Sequence, residues 1–179
     1  MPSLESISNN LIRAQQQFLH ATDLVSSDQW KTRPGVGRWS AGELVGHLIT
    51  VERLIIHHTS KLFENHPTPR PFLKRSHLPM LLVEARLIPS KTPVPLDPAL
   101  ICEKNPALDQ LRGVRARTLV FLEEKAGKDL RKYHLPHPFL GTLDAREWFQ
   151  MIASHQIRHT KQLKEIAAAL PKIVKTLHK

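Results

Sequence analysis

The chain of 179 residues has a single cysteine, Cys102, so no disulfide can form within it. That suits a reducing compartment. It has one tyrosine, and aromatic residues make up only 6% of it. Long apolar runs are missing. The most apolar window, 78–88, is short and holds Pro79, Glu84 and Arg86, so it cannot cross a bilayer. The first residues show no basic stretch followed by an apolar run, so no secretory leader is expected. No alternation of strand type and no internal repeat is visible. These absences predict a soluble, cytoplasmic, all-α protein without membrane contact.

Acidic charge is also scarce. Twenty-six Lys and Arg face 16 Asp and Glu, a net charge of +10. Such a balance favours anionic partners in general. The basic residues are dispersed in small groups, however: Arg70, Lys74 and Arg75; Arg112, Arg115 and Arg117; Lys172, Lys175 and Lys179. None is a dense run interleaved with aromatics, so a solvated basic surface is the expected reading and nucleic acid is not an expected partner. Retention on a DNA column that weakens steeply with salt would show otherwise.

Four stretches carry helical periodicity. The first, 4–25, places Leu4, Ile7, Leu11, Ala14, Phe18, Ala21 and Val25 on one face, with Ser3 as its cap. The second starts at Ser40, where Ser40 and Glu43 form a capping-box pattern, and runs to Glu64. Its seam reads Leu44, His47 or Leu48, Val51, Leu54, Ile55, His58 and Leu62. The third, 106–126, has Pro106 in its first turn and Gly127 as its stop. Leu108, Leu111, Val114 or Arg115, Thr118, Leu119 and Leu122 form its face. The fourth, 143–170, is capped by Thr142 or Asp144 and ended by Pro171.

Between the second and third lies a segment, 65–106, that holds nine of the 14 prolines. Proline disfavours helix interiors, so the segment is expected to be extended or turn-like, with one short helix over 81–87. It reads as a crossover packed over one domain spanning 1–179. A crossover of that length lets the second and third helices run parallel, which predicts an up-down-down-up four-helix bundle.

His155 and His159 are the most informative pair. Four residues along a helix advance the face by ~40° and the axis by ~6 Å. Both imidazoles therefore share the seam of Trp148, Ile152, His155, His159, Leu163 or Gln162, Ile166 and Leu170. Two imidazoles on an apolar seam need partners, and a divalent metal is an economical one. His47, on the seam of the second helix, is the candidate third ligand. Three histidines would leave coordination positions open, as catalytic sites do. Taken singly, each histidine also has a simpler reading as a hydrogen-bonded core residue.

Trp39, Ser40, Glu43, His47 and Leu48 fit the pattern W-S-x-x-E-x-x-x-H-L. His137, Pro138 and Gly141, then Glu147 and Trp148, then His155, Arg158, His159 and Gln162 form a second group. On these residues the whole chain resembles the DinB/YfiT-like superfamily of metal-dependent bundle proteins. The resemblance implies an up-down-down-up bundle, often dimeric, with His47, His155 and His159 as metal ligands. It further implies a thiol-dependent S-transferase acting on small electrophiles, with a low-molecular-weight thiol as co-substrate. Three imidazoles suit zinc, nickel, copper or iron, and of these zinc or nickel is expected.

Two other readings stand beside that one. The same centre would serve a metal-dependent hydrolase. A non-catalytic metal-binding stress or interaction bundle, its site structural or vestigial, would be favoured by a fourth protein ligand closing the shell. Other polar residues have weaker roles. His134 and His137 have an H-x-x-H spacing, but the flanking prolines favour a loop-shaping role. His57 and His58 cannot share a face, and His58 is expected to pack in the core or at a pocket rim. Glu43 is either a cap or an acceptor from an imidazole. Arg158 is either a contact for a substrate carboxylate or a surface or interface residue. Cys102, with no adjacent histidine, is not expected to be a nucleophile.

Overall fold

The computed structural model describes residues 3–64, 66–67, 97–138 and 140–171. The short helix expected over 81–87, most of the proline-rich crossover and the basic groups at 70–75 and 172–179 lie outside these residues. Four long helices make the body: α1 (Leu4–Thr22), α2 (Ala41–Glu64), α3 (Lys104–Glu124) and α4 (Ala145–Ala169). No helix among the described residues is long and apolar enough to cross a membrane.

Local chemistry sets where the helices begin. The Ser3 hydroxyl accepts from the Ser6 amide at 3.1 Å. The Glu43 amide donates to the Ser40 hydroxyl at 3.2 Å, and the Ser40 amide donates to the Glu43 carboxylate at 2.8 Å. At α4 the cap is Asp144, not Thr142. It exchanges two 2.8 Å bonds with Glu147. Each such box satisfies amides that the helix cannot.

Side-chain pairings between helices give their directions. On α3, Lys104 donates to the carbonyls of Thr22 and Val25 at 2.9 and 2.7 Å, while Leu111 accepts from Gln15 at 3.2 Å. Rising numbers on α3 meet falling numbers on α1, so the two are antiparallel. Leu100, just ahead of α3, lies against Gly46, and Phe121 near its end lies 5.9 Å from Phe63. α2 and α3 are therefore parallel. His159 on α4 faces Trp39 ahead of α2, and Gln156 reaches the Arg115 that holds Glu52 further along it, so α4 opposes α2. The order is up-down-down-up, as the long crossover predicts.

One expectation fails. The sequence places a loop over 133–141 and the start of the fourth helix at 143, with no strand pattern. Instead β1 (His134–His137) and β2 (Gly141–Asp144) form a hairpin, paired antiparallel from His134↔Asp144 to His137↔Gly141. Four-residue strands are too short to show an alternation, and Pro136 argues against a strand in sequence. A two-stranded ribbon has only edges, so a residue lacking an amide donor is tolerated there. Gly141 takes the positive φ, 76°, that closing the ribbon requires.

A second correction concerns the inner face of α2. Leu54 and His58 are exposed, while Glu52 and Thr59 are buried. Thr59 satisfies its hydroxyl on the Ile55 carbonyl at 2.7 Å. Glu52 is satisfied by partners on α3, which α2's own sequence cannot reveal.

The core consists of two apolar clusters. One gathers Trp30, Leu44, Leu48, Leu108, Leu111, Leu163 and Ile166. The other gathers Ile7, Leu11, Ile55, Phe63, Trp148, Phe149 and Ile152. Along α2, α3 and α4, the chain positions between these clusters carry the buried polar residues Glu52, Arg115, Gln156 and His159.

Candidate metal centre

The capping box holds the start of α2 rigid, and His47 lies one turn beyond Glu43. Its ring is buried and packs against the Trp39 indole at 5.0 Å. From α4, His155 and His159 meet it. His155 Nε2 lies 3.3 Å from His47 Nε2 and 3.0 Å from His159 Nε2. The structure thus brings together the three histidines predicted from sequence, their ligand atoms all within 4.8 Å of one another.

That spacing is informative. Two nitrogens each ~2.0–2.1 Å from one zinc-like ion at a near-tetrahedral angle are about 3.3 Å apart. The observed 3.0 and 3.3 Å separations fit a shared cation. Neutral imidazoles satisfy such a triple contact poorly, because each carries one donor and one acceptor. His159 Nδ1 pairs with Gln162 Oε1 at 2.8 Å. With the amide oxygen accepting, Nδ1 holds the proton and Nε2 presents a lone pair to the cluster. Outer partners of this kind orient metal-bound histidines. His47 differs: its Nδ1 is buried with no hydrogen-bond partner among the described residues, and its ring packs against Trp39.

Burial favours the neutral, ligating form of His47 and His155. Burial lowers His47 from the ordinary 6.5 to about 4. Burial also holds His155 well below 6.5, and repulsion from any charge taken up by His159 or His47, from Arg158 and from any charge on His137 acts in the same direction. The sign of the stability effect follows. The unfolded chain takes up these protons near pH 6.5, before the folded chain does. The fold without metal is therefore expected to be fully supported above about pH 6.5 and to lose stability as pH falls towards about 4. Thermal melts in chelator across that interval test this, and a melting temperature that stays flat would contradict it.

The remaining candidates take definite places. Glu43 is held by Ser40 and by Arg33, whose Nε lies 3.0 and 3.1 Å from its two oxygens. It serves as a cap and ion-pair partner. His137 accepts from the Leu140 amide at 3.1 Å and packs on Trp148 at 5.0 Å. Burial lowers it to about 4, and it shapes the hairpin instead of joining the cluster. His57 and His58 are exposed. Cys102 is half-buried beside Gln110. Arg158 is half-buried within the field of His155. Sequence reading did not single out Trp39 as a wall of the site. An indole directly ahead of a capping box is a local signal, but its contact with α4 is not.

The chain matches the DinB superfamily over residues 10–163. It is 25% identical over 146 residues to the uncharacterized protein YuaE of Bacillus subtilis (strain 168), covering 79% of this chain and 85% of that protein. Its structure is similar to that of YfiT from Bacillus subtilis, with a TM-score of 0.57 and 18% identity, over 92% of this chain and 86% of the other. YfiT is described as a probable metal-dependent hydrolase with an unusual four-helix bundle topology. At that identity the likeness establishes the fold. From the match over most of its length, this chain belongs to the DinB superfamily.

Proposed function

We propose that this protein is a metal-dependent enzyme whose centre is His47, His155 and His159, and that hydrolysis of a small molecule is its reaction. The observation that carries the proposal is the convergence of three imidazole Nε2 atoms from two helices. The description of YfiT as a metal-dependent hydrolase supports the same reading. A divalent ion held there supplies Lewis acidity, polarising a carbonyl or phosphoryl oxygen and lowering the pKa of a nucleophile brought to it. The three ligands are neutral, so none offsets the charge of that ion. Among the described residues no carboxylate, cysteine or fourth histidine joins the group. A shell of three protein ligands is the catalytic pattern, which argues against a purely structural site. Trp39 closes one side with an apolar wall over His47 and His159. Zinc and nickel suit three imidazoles.

Transfer of a low-molecular-weight thiol to an electrophile is the second reading. One observation favours it: among the described residues no carboxylate stands in the cluster to act as general base, and a thiol, more acidic than water, needs less help to ionise.

The deciding experiment incubates zinc- or nickel-loaded protein with ester, amide and phosphoester substrates, with and without added thiol, and identifies products by mass. Cleavage without thiol is the expected result. Conjugates that need thiol would establish transfer instead. No turnover in either arm, together with a large fall in melting temperature on chelation, would make the metal structural.

A further inference from the structure

The strongest feature outside the histidine cluster is one buried polar layer that joins all four helices. Arg115 on α3 is 1% exposed and Glu52 on α2 is 3% exposed. Arg115 Nε and Nη2 donate to the two oxygens of Glu52 at 2.8 and 2.9 Å. The same Nη2 donates to Gln156 Oε1 on α4 at 2.9 Å, and Nη1 donates to the Leu11 carbonyl on α1. Thr118 adds a 2.6 Å bond to Glu52.

This layer is tied to the site by chain position. Gln156 follows His155 directly on α4, and Glu52 lies five residues beyond His47 on α2, about 7.5 Å along the axis. The ligands come only from α2 and α4. Arg115 gives α1 and α3 a directional contact with both ligand-bearing helices. The apolar clusters on either side cannot fix that geometry alone. Apolar contact is non-directional and tolerates sliding or rotation, whereas a guanidinium fork requires specific directions. A one-residue slip of α4 would turn its face by ~100°. That would take Gln156 from Arg115 and His155 from His47 together.

We infer that Arg115, with Glu52 and Gln156, is a positioning device that locks α4 in the register at which the three imidazoles meet. Buried polar groups are known to specify register elsewhere, at a cost in stability. The inference rests on the metal reading above, and the two can fail separately.

The test compares zinc affinity with fold stability. In the triple variant E52M/R115M/Q156M every member is replaced by an apolar side chain. Such replacements commonly preserve or raise stability. The expected result is a helical protein with a wild-type or higher melting temperature in chelator, yet with zinc Kd weakened roughly tenfold or more, as for loss of outer-shell partners. A merely structural role would move the two readouts together. Wild-type zinc affinity in a folded triple variant overturns the inference. If the triple variant does not fold, R115K decides, since it keeps the charge but loses the fork. Weakened zinc binding at near-normal stability supports the inference, and unchanged binding overturns it. If neither variant folds, the layer holds the fold and not the register, and the inference falls. If wild-type protein itself binds no zinc or nickel, it is the metal reading that has failed.

Discussion

Replacing His155 by alanine is expected to strip the centre of its metal. His155 is the middle member of the cluster, because its Nε2 contacts both His47 and His159. Without it, two imidazoles on different helices remain, and neither helix holds a pair. An affinity loss on the order of a thousandfold, about 4 kcal/mol, is expected. His47→Ala should behave similarly. The fold should tolerate the change, because three closely set imidazoles without a cation contribute little and cost desolvation. Bound metal per chain after gel filtration, with zinc titration of the stripped protein, checks both. Full occupancy in the His155→Ala protein would remove the site assignment.

Arg115→Met is expected to be the most damaging single change to stability. It leaves the Glu52 carboxylate buried with only the Thr118 hydroxyl beside it at 2.6 Å. Breaking a buried pair in this way costs roughly 3–5 kcal/mol. At about 2–4 °C per kcal/mol for a chain of this size, the melting temperature should fall by roughly 6–20 °C. One signature separates this cause from simple loss of packing. Adding E52M should restore most of the loss, because no charge is then left unpaired. If the single and double variants are equally unstable, lost packing around Arg115 is the cause instead.

Much of the bundle was legible because its signals are local. Ser3, and Ser40 with Glu43, announce helix starts through bonds made within three residues. The stripe of Ile7, Leu11, Ala14 and Phe18 reports its face through helical spacing alone. The parallel pairing of α2 and α3 followed from the length of the proline-rich crossover. His155 and His159 were legible as a pair because four residues return to one face.

Other features were hidden because their cause lies elsewhere in the chain. The hairpin at 134–144 depends on pairing between strands too short to show a pattern. His58 looked like a seam residue, but the stripe that turns inward carries Glu52 and Thr59. Glu52 is tolerated inside only because Arg115 arrives from 63 residues away in sequence. Arg115 itself was an alternative to Val114 on its face, and both proved to be buried.

The sequence by itself determined four helices, the caps of the first two and three histidines on inward seams, since helix period and capping are properties of neighbouring residues. Only the tertiary structure decided that those histidines converge, with His155 within hydrogen-bond distance of both others. It also decided that one guanidinium ties α1, α2 and α4 to α3 beside them. Directional contacts between distant segments depend on the relative rotation and register of whole helices. No local pattern encodes that arrangement.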